Sequence, residues 1–342
     1  MAELSAKENY LRLAKGEMPE YVPVFTMFGM PYKGVMATKT IRPDIYGDNH
    51  RTPEGGVDSW GVTYIANEET GFASIPEPNN FLLKDITEWE KVIKTPKMPD
   101  SIDWEIMAKK DIEESEIDRS KTALVNGAML MPFQQLMAFM GFNEGLMAMY
   151  EEPQAVKDLL HFMADFYVPY LEKTLDAYKP DLYYMLDDTA AKDNPFVSVE
   201  MYRDILKPVY QKLAAPANER GIPIQFHNCG RCEDYVEDMI DFGVKYWDPA
   251  QTTNDLLAVK ERYKGKIAIC GGWDYKIPDS WPIVDEQDVR AEIRDIFDKY
   301  ATGGGYAFCG GVLGRHGDQM AAQVNEWAQN EAYLYGRILY NK

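Results

Sequence analysis

The chain has 342 residues, 46 % of them apolar and 13 % aromatic, which is ample material for a large core. Lysine and arginine number 36 against 55 aspartates and glutamates, so the formal charge is −19, which argues against nucleic acid or an anionic membrane surface as a partner. No apolar run approaches the roughly 18–20 residues of a spanning helix, and the opening MAELSAKENY lacks the basic-then-apolar pattern of a secretion signal, so a cytoplasmic protein is expected.

Short β-rich runs alternate with long amphipathic stretches. Val22–Thr26 reads as a first strand. Residues 28–118 then break the rhythm, being rich in Pro, Gly, Asp and Asn, and read as an irregular insertion capping one face of a single domain spanning 1–342. After it come candidate strands at Ala123–Gly127, Asp181–Leu186, Ile222–His227, Val244–Asp248, Lys266–Cys270 and Tyr306–Cys309. Helical patterns lie between them: Pro153–Tyr178, opened by a proline, then Val199–Ala217, Cys232–Phe242, Asn254–Arg262 and Asp285–Tyr300 with an acidic start. Such alternation predicts an α/β fold with a parallel sheet, either an eight-stranded (β/α)8 TIM barrel or an open doubly wound sheet. Seven candidate strands leave one stave of the barrel unplaced.

In a barrel the active site lies at the C-terminal ends of the strands. The candidate strand ends carry unusual residues: Asp187 and Asp188 in LDDT, His227 and Cys229 in FHNCG, Cys270 and Asp274 in ICGGWD, and Cys309 in FCGG. Residues two apart on a strand point the same way, so His227 and Cys229 can reach one ion. A third sulfur ligand must come from a neighbouring strand end, and Cys270 and Cys309 both qualify by position. Three protein ligands with a fourth place open is the arrangement of catalytic zinc. Two other readings stand beside it: buried apolar thiols with a satisfied histidine, and a redox pair at Cys229-x-x-Cys232. Asp187 and Asp188 are candidates for acid–base work, substrate orientation or metal support. His161 reads as structural and His50 as exposed, while His316 follows the last strand and could line the mouth. Met129, Met131, Met137, Met140, Met147 and Met149, with Phe133, Phe139 and Phe142, read first as core and second as a wall for a flat apolar ligand.

These segments together resemble the uroporphyrinogen decarboxylase superfamily. The similarity rests on KENYLRLAKGEMPEYVPVF, DSWGVTY, GAMLMPFQQLMAFMGFNEGLMAMYEEPQAVKDLL, LDDTA, YRDILKPVYQKLAAPANERGIPIQFHNCG, ICGGWD and GGGYAFCGG, and covers nearly the whole chain. It implies a (β/α)8 barrel with the site at the strand C-termini. The decarboxylating branch relies on arginines near the first strand, and Gly16–Tyr32 contains neither Arg nor Lys, which argues against a polyanionic porphyrinogen as substrate. The corrinoid-linked methyltransferase branch carries His-x-Cys at one strand end and a cysteine about eighty residues later; here His227, Cys229 and Cys309 match, so the resemblance implies zinc (Zn2+) on these three and prefers Cys309 to Cys270. The last strand end, FCGGVLGRHGD, departs from the proline-rich continuation of the coenzyme M enzymes.

The expected activity is transfer of a methyl group from a small-molecule methyl ether, a methoxylated aromatic, to the Co(I) corrinoid (cobalamin) of a partner corrinoid-binding protein, as in O-demethylation. Asp187 or Asp188 would orient the substrate or protonate its oxygen. Tyr184, Trp273, Tyr306 and Phe308 would shape an aromatic slot, with His316 at its mouth. A methylcobalamin-to-thiol transferase and a cobalamin-independent decarboxylase or lyase on the same barrel are the alternatives, and a homodimer stands as an open expectation.

Overall fold

The computed structural model describes residues 4–25, 32–43, 45, 52, 54–68, 70, 73–127, 130–312, 314 and 317–341. His50, Met129 and His316 therefore lie outside the described residues, as do Thr26 and parts of Gly16–Tyr32 and of the 28–118 insertion.

The strands in chain order are β1 (Thr38–Thr40), β2 (Gly56–Val57), β3 (Thr63–Ile65), β4 (Ile75–Pro76), β5 (Ala123–Gly127), β6 (Leu182–Leu186), β7 (Ile224–His227), β8 (Val244–Ala250), β9 (Ala268–Gly272) and β10 (Tyr306–Cys309). Seven of them form one parallel sheet in the order β1-β5-β6-β7-β8-β9-β10. At its far edge Val24 makes a parallel bridge to Phe308, with the Phe25 N–H donating to the Phe308 carbonyl at 2.8 Å. Val24 and β1 are thus the outer staves of an eight-membered (β/α)8 barrel. The unplaced stave is Thr38–Thr40. It falls inside the irregular stretch, and Thr-Lys-Thr carries no apolar signal. The proposed strand Val22–Thr26 reduces to the bridge at Val24 in the described residues.

The helices are α1 (Ala6–Ala14), α2 (Trp89–Val92), α3 (Trp104–Glu114), α4 (Pro132–Met140), α5 (Phe142–Glu151), α6 (Pro153–Tyr178), α7 (Val199–Met201), α8 (Lys207–Glu219), α9 (Val236–Asp241), α10 (Leu256–Arg262), α11 (Glu286–Tyr300) and α12 (Gln319–Gly336). Their starts follow from local chemistry. Ser5 and Glu8 close a capping box on α1, Asp285 accepts from the Gln287 N–H at α11, and Asp318 caps α12. Helix α4 has no cap of its own, its preceding residue being Met131. Its missing acceptor comes from another strand, as described below.

Period-two alternation sorts the barrel residues between two cores. One face of each strand packs outward on the helices: Tyr183, Phe226, Trp247, Ile269, Tyr306 and Phe308 belong to the large outer core with Val209, Phe297 and Val324. The other face fills the barrel interior with Val125, Tyr184, Tyr246, Ala268, Cys270, Ala307 and Cys309. Helix α1 stoppers this interior: Tyr10 stacks on Tyr246 with ring centroids 4.8 Å apart and joins Leu13 in the same cluster. Within the methionine-rich stretch Met137, Met140, Met149, Phe133 and Phe139 are core, while Met147 and Phe142 are exposed.

The described part of residues 32–118 contributes β1, the three-stranded antiparallel sheet β2-β3-β4 and short helices. It leans on α4 and α6. The Leu83 N–H donates to the Phe139 carbonyl, Gln135 Nε2 donates to Asp58, and Trp60 Nε1 donates to the Tyr167 hydroxyl. Among the described residues no helix is long and apolar enough to cross a membrane.

Candidate metal centre

The C-terminal ends of β6 and β7 are laced together before any functional side chain is considered. The Asp187 N–H donates to the His227 carbonyl, and the Arg231 N–H donates to the Ala191 carbonyl. Asn228 and Thr189 exchange side-chain hydrogen bonds, and Trp247 Nε1 holds the Asn228 carbonyl. Gly230 permits the turn: at φ +87° its missing Cβ would stand 2.4 Å from the Ala190 carbonyl oxygen. This lacing brings the residue two beyond β6 against the residue two beyond β7. The Cys229 N–H donates to Asp188 Oδ1 at 3.0 Å.

Asp188, His227 and Cys229 then present one donor atom each, all within 4.8 Å of one another. His227 Nε2 stands 3.3 Å from Cys229 Sγ and 3.8 Å from Asp188 Oδ1. A tetrahedral zinc with bonds of about 2.0–2.3 Å has ligand–ligand edges of roughly 3.3–3.8 Å, so the spacing and the nitrogen–sulfur–oxygen donor set fit a divalent metal. The other ring nitrogen, Nδ1, lies 2.9 Å from Oδ1 of Asp248, which is wholly buried. A carboxylate behind a metal-facing imidazole fixes its orientation and tautomer. Burial opposes charge on this ring, and the Asp248 carboxylate and the Cys229 sulfur outweigh it, so the His227 pKa stands well above its usual value. Burial raises the Cys229 thiol above the ordinary range although the His227 ring pulls it down.

The remaining predicted residues divide. Cys309 lies on the inner wall, outside the three-donor cluster. Burial, then the Asp248 carboxylate and the Cys270 and Cys229 sulfurs, raise its thiol pKa well above normal. Cys270 is deeper, its sulfur 3.7 Å from the Tyr10 hydroxyl. Cys232 is fully buried and its thiol donates to the Asn228 carbonyl, turned from the face Cys229 presents to His227.

Asp187 and Asp188 are neighbours with opposite environments. Asp187 is fully buried and accepts from the Phe133 and Gln134 N–H groups and the Tyr210 hydroxyl, so it is the cap that α4 lacks. Burial pushes its carboxyl up to about 7 against the pull of those donors. So enclosed, the Asp187 carboxylate is engaged as the cap of α4. Asp188 keeps 35 % of its side chain exposed beside the cluster.

The residues expected to shape an aromatic slot divide between the two faces of the wall. Tyr306 and Phe308 face outward and pack on Phe297 of α11, with Phe308 against Trp273 at 5.9 Å. They are core because odd-numbered inward positions on β10 leave even ones outward. Tyr184 faces inward, but its hydroxyl donates to Asp248 Oδ1 at 2.8 Å, behind the cluster rather than before it. Asp248 and Gln225 went unrecognised in the sequence. The available signal is their place on inward registers of β8 and β7, each two residues before the end of its strand.

The profile of the uroporphyrinogen decarboxylase family matches residues 61–313. The chain belongs to that family. No curated protein sequence matches it. Among solved structures it is similar to a methyltransferase from Methanosarcina mazei, at 15 % identity and a TM-score of 0.59, over 97 % of this chain and 100 % of that one. That likeness agrees with the barrel.

Proposed function

We propose that this member of the family is a metal-dependent methyltransferase that removes a methyl group from an ether, a methoxylated aromatic, and passes it to the corrinoid of a partner protein. The observation that carries the reading is the cluster of Asp188, His227 and Cys229 at the strand C-termini, with Asp248 behind the imidazole. A metal-facing His-x-Cys beside a half-exposed carboxylate suits activation of a poor leaving group better than decarboxylation, which needs no soft ligand. The methyltransferase name of the structural neighbour supports the same choice.

When bound, zinc supplies Lewis acidity at the ether oxygen and the partner's cobalamin supplies the methyl acceptor. His227 Nε2 and Cys229 Sγ would hold the metal, and the third protein ligand would be Asp188 or Cys309. With Cys309 in that place, Asp188 is free to turn to the substrate, orient the ether and deliver the proton that the departing oxygen takes as its bond to the methyl carbon breaks. The described part of residues 32–118, leaning on α4 beside the site, would serve as its cover, and the mouth of the barrel would receive the corrinoid protein.

Plasma mass spectrometry of the purified chain tests the metal half of this reading. About one zinc per chain, lost in His227→Gln, is expected, and metal-free wild type that refuses zinc sinks it. Assay with cob(I)alamin and a panel of aryl methyl ethers tests the other half. Turnover of a thiol acceptor with no ether demethylated transfers the protein to the thiol reading, and turnover of a carboxylated substrate without cobalamin restores the lyase.

A further inference from the structure

A continuous chain of side chains runs through the barrel from its stopper to the donor cluster. At the floor, the Tyr10 hydroxyl of α1 donates to Gln225 Oε1 at 2.8 Å. Gln225 Nε2 donates to Asp248 Oδ2 at 2.6 Å, and Asp248 Oδ1 faces His227 Nδ1 at 2.9 Å. Gln225 and Asp248 are wholly buried, and so is Tyr10. The geometry selects one orientation of the amide. With Tyr10 donating to Oε1, Nε2 must face the carboxylate; the flipped amide would set an oxygen against the Asp248 oxygens. The Tyr184 hydroxyl takes Oδ1 from the side, so three donors converge on one carboxylate and leave it no freedom to rotate.

We propose that Gln225 is a positioning residue: by anchoring Asp248 Oδ2, with Tyr10 locking its amide, it holds the His227 ring with Nδ1–H toward Asp248 and Nε2 toward the mouth. Its sequence position fits the task. Gln225 lies two residues before His227 on β7, so both project into the barrel, and β7 pairs with β8 so that His227 stands beside Asp248. A leucine or methionine at 225 would satisfy packing in an interior that Val125, Leu182, Ala268 and Ala307 share with tyrosines and cysteines. The buried amide is therefore retained for the bonds it makes. The consequence for metal binding rests on the metal-centre reading above, while the orientation of the ring does not.

The test uses two readouts. The chain has four histidines, so ring-15N spectra of the metal-free protein can be assigned by single substitution. Wild type should show one slowly exchanging, downfield ring N–H that disappears in His227→Gln. In Gln225→Met that proton should exchange at least about tenfold faster. In Tyr10→Phe, which removes one hydroxyl and keeps the ring stacked on Tyr246, it should shift in the same direction by less. The second readout is zinc affinity by competition with a chromophoric chelator, where loss of an outer partner of a ligating histidine costs about 10–100-fold. An unchanged His227 proton in both variants overturns the proposal, whatever the zinc result. A wild type that shows the proton and the variant effects but takes no zinc upholds the positioning role and rejects the metal reading instead.

Discussion

The inner and outer faces of the barrel wall are built from the same strands, one residue out of step. On β7, Ile224 and Phe226 pack outward in the large core, while Gln225 and His227 turn inward to Asp248. On β10, Tyr306 and Phe308 pack outward on α11, while Ala307 and Cys309 face the interior. The outer face is apolar, with Trp247 Nε1 and the Tyr306 hydroxyl donating to backbone carbonyls. The inner face carries the histidine, the buried carboxylate and the sulfurs, with small side chains making room between them. The difference teaches how a barrel keeps chemistry apart from stability: substitutions outward should change folding and leave the donor cluster intact, and substitutions inward should do the reverse.

The largest effect should come from the outer face. Phe308→Ala removes a fully buried ring from a cluster of Trp273 and Phe297. It should destabilise the protein by about 3–5 kcal/mol in denaturant unfolding. The folded fraction should hold the same metal as wild type, and metal loss at unchanged stability would break the comparison. Next comes the pair at the end of β6. Asp187→Ala strands two N–H groups of α4 and the Tyr210 hydroxyl, at about 2–4 kcal/mol. Asp188→Ala should stay within about 1 kcal/mol, being partly exposed with one backbone donor. Turnover should rank the two in the opposite order, since Asp188 serves the cluster in either of its proposed roles and Asp187 serves its scaffold. If Asp187→Ala lowers the turnover of its folded fraction more than Asp188→Ala does, the division of roles between the neighbours is wrong.

Much of this layout was legible before any coordinates. Ala123–Gly127, Tyr306–Cys309 and Pro153–Tyr178 have the bounds read from pattern, because continuous β-rich runs and a proline-opened amphipathic run are strong local signals. Strand ends pointed to His227 and Cys229 for the same reason: what is local in sequence is local in space. Thr38–Thr40 was not legible, since three polar residues become a barrel stave only by pairing with β5 some eighty residues away. Nor was the fate of Asp187, whose partners lie on α4. The outward turn of Tyr306 and Phe308 is not legible either: chain position puts them at the rim, and only the phase of the alternation, visible once β10 is registered on β9, turns them outward. Asp248 was hidden because a carboxylate at a strand end reads as a solvated turn until the facing histidine is known.

A smaller effect sharpens the outer face. Tyr306 donates to the Gly271 carbonyl at 2.8 Å in the core. Tyr306→Phe should cost about 1–2 kcal/mol and leave metal content and substrate affinity unchanged. A change in substrate affinity alone would return Tyr306 to the aromatic slot.

The smallest structural effect should come from the inner face, and it decides the third ligand. Cys309 and Cys270 are both buried sulfurs on adjacent strands of the interior cluster, and alanine at either removes one heavy atom, at about 1 kcal/mol. Stability therefore cannot tell them apart, but metal can. Cys270 keeps company with the Tyr10 hydroxyl near the barrel floor. Cys309 ends its strand and is influenced by Cys229 and Asp248. Cys270→Ala should retain zinc. If Cys309 is the third ligand, Cys309→Ala should lose zinc affinity by at least about tenfold, and Asp188→Ala should keep the metal and lose turnover. If Asp188 is the ligand, Asp188→Ala should lose the zinc and Cys309→Ala should keep both metal and turnover. Binding then rests on a carboxylate that is partly exposed, and Cys309 is a small apolar filler of the barrel like Ala307 beside it.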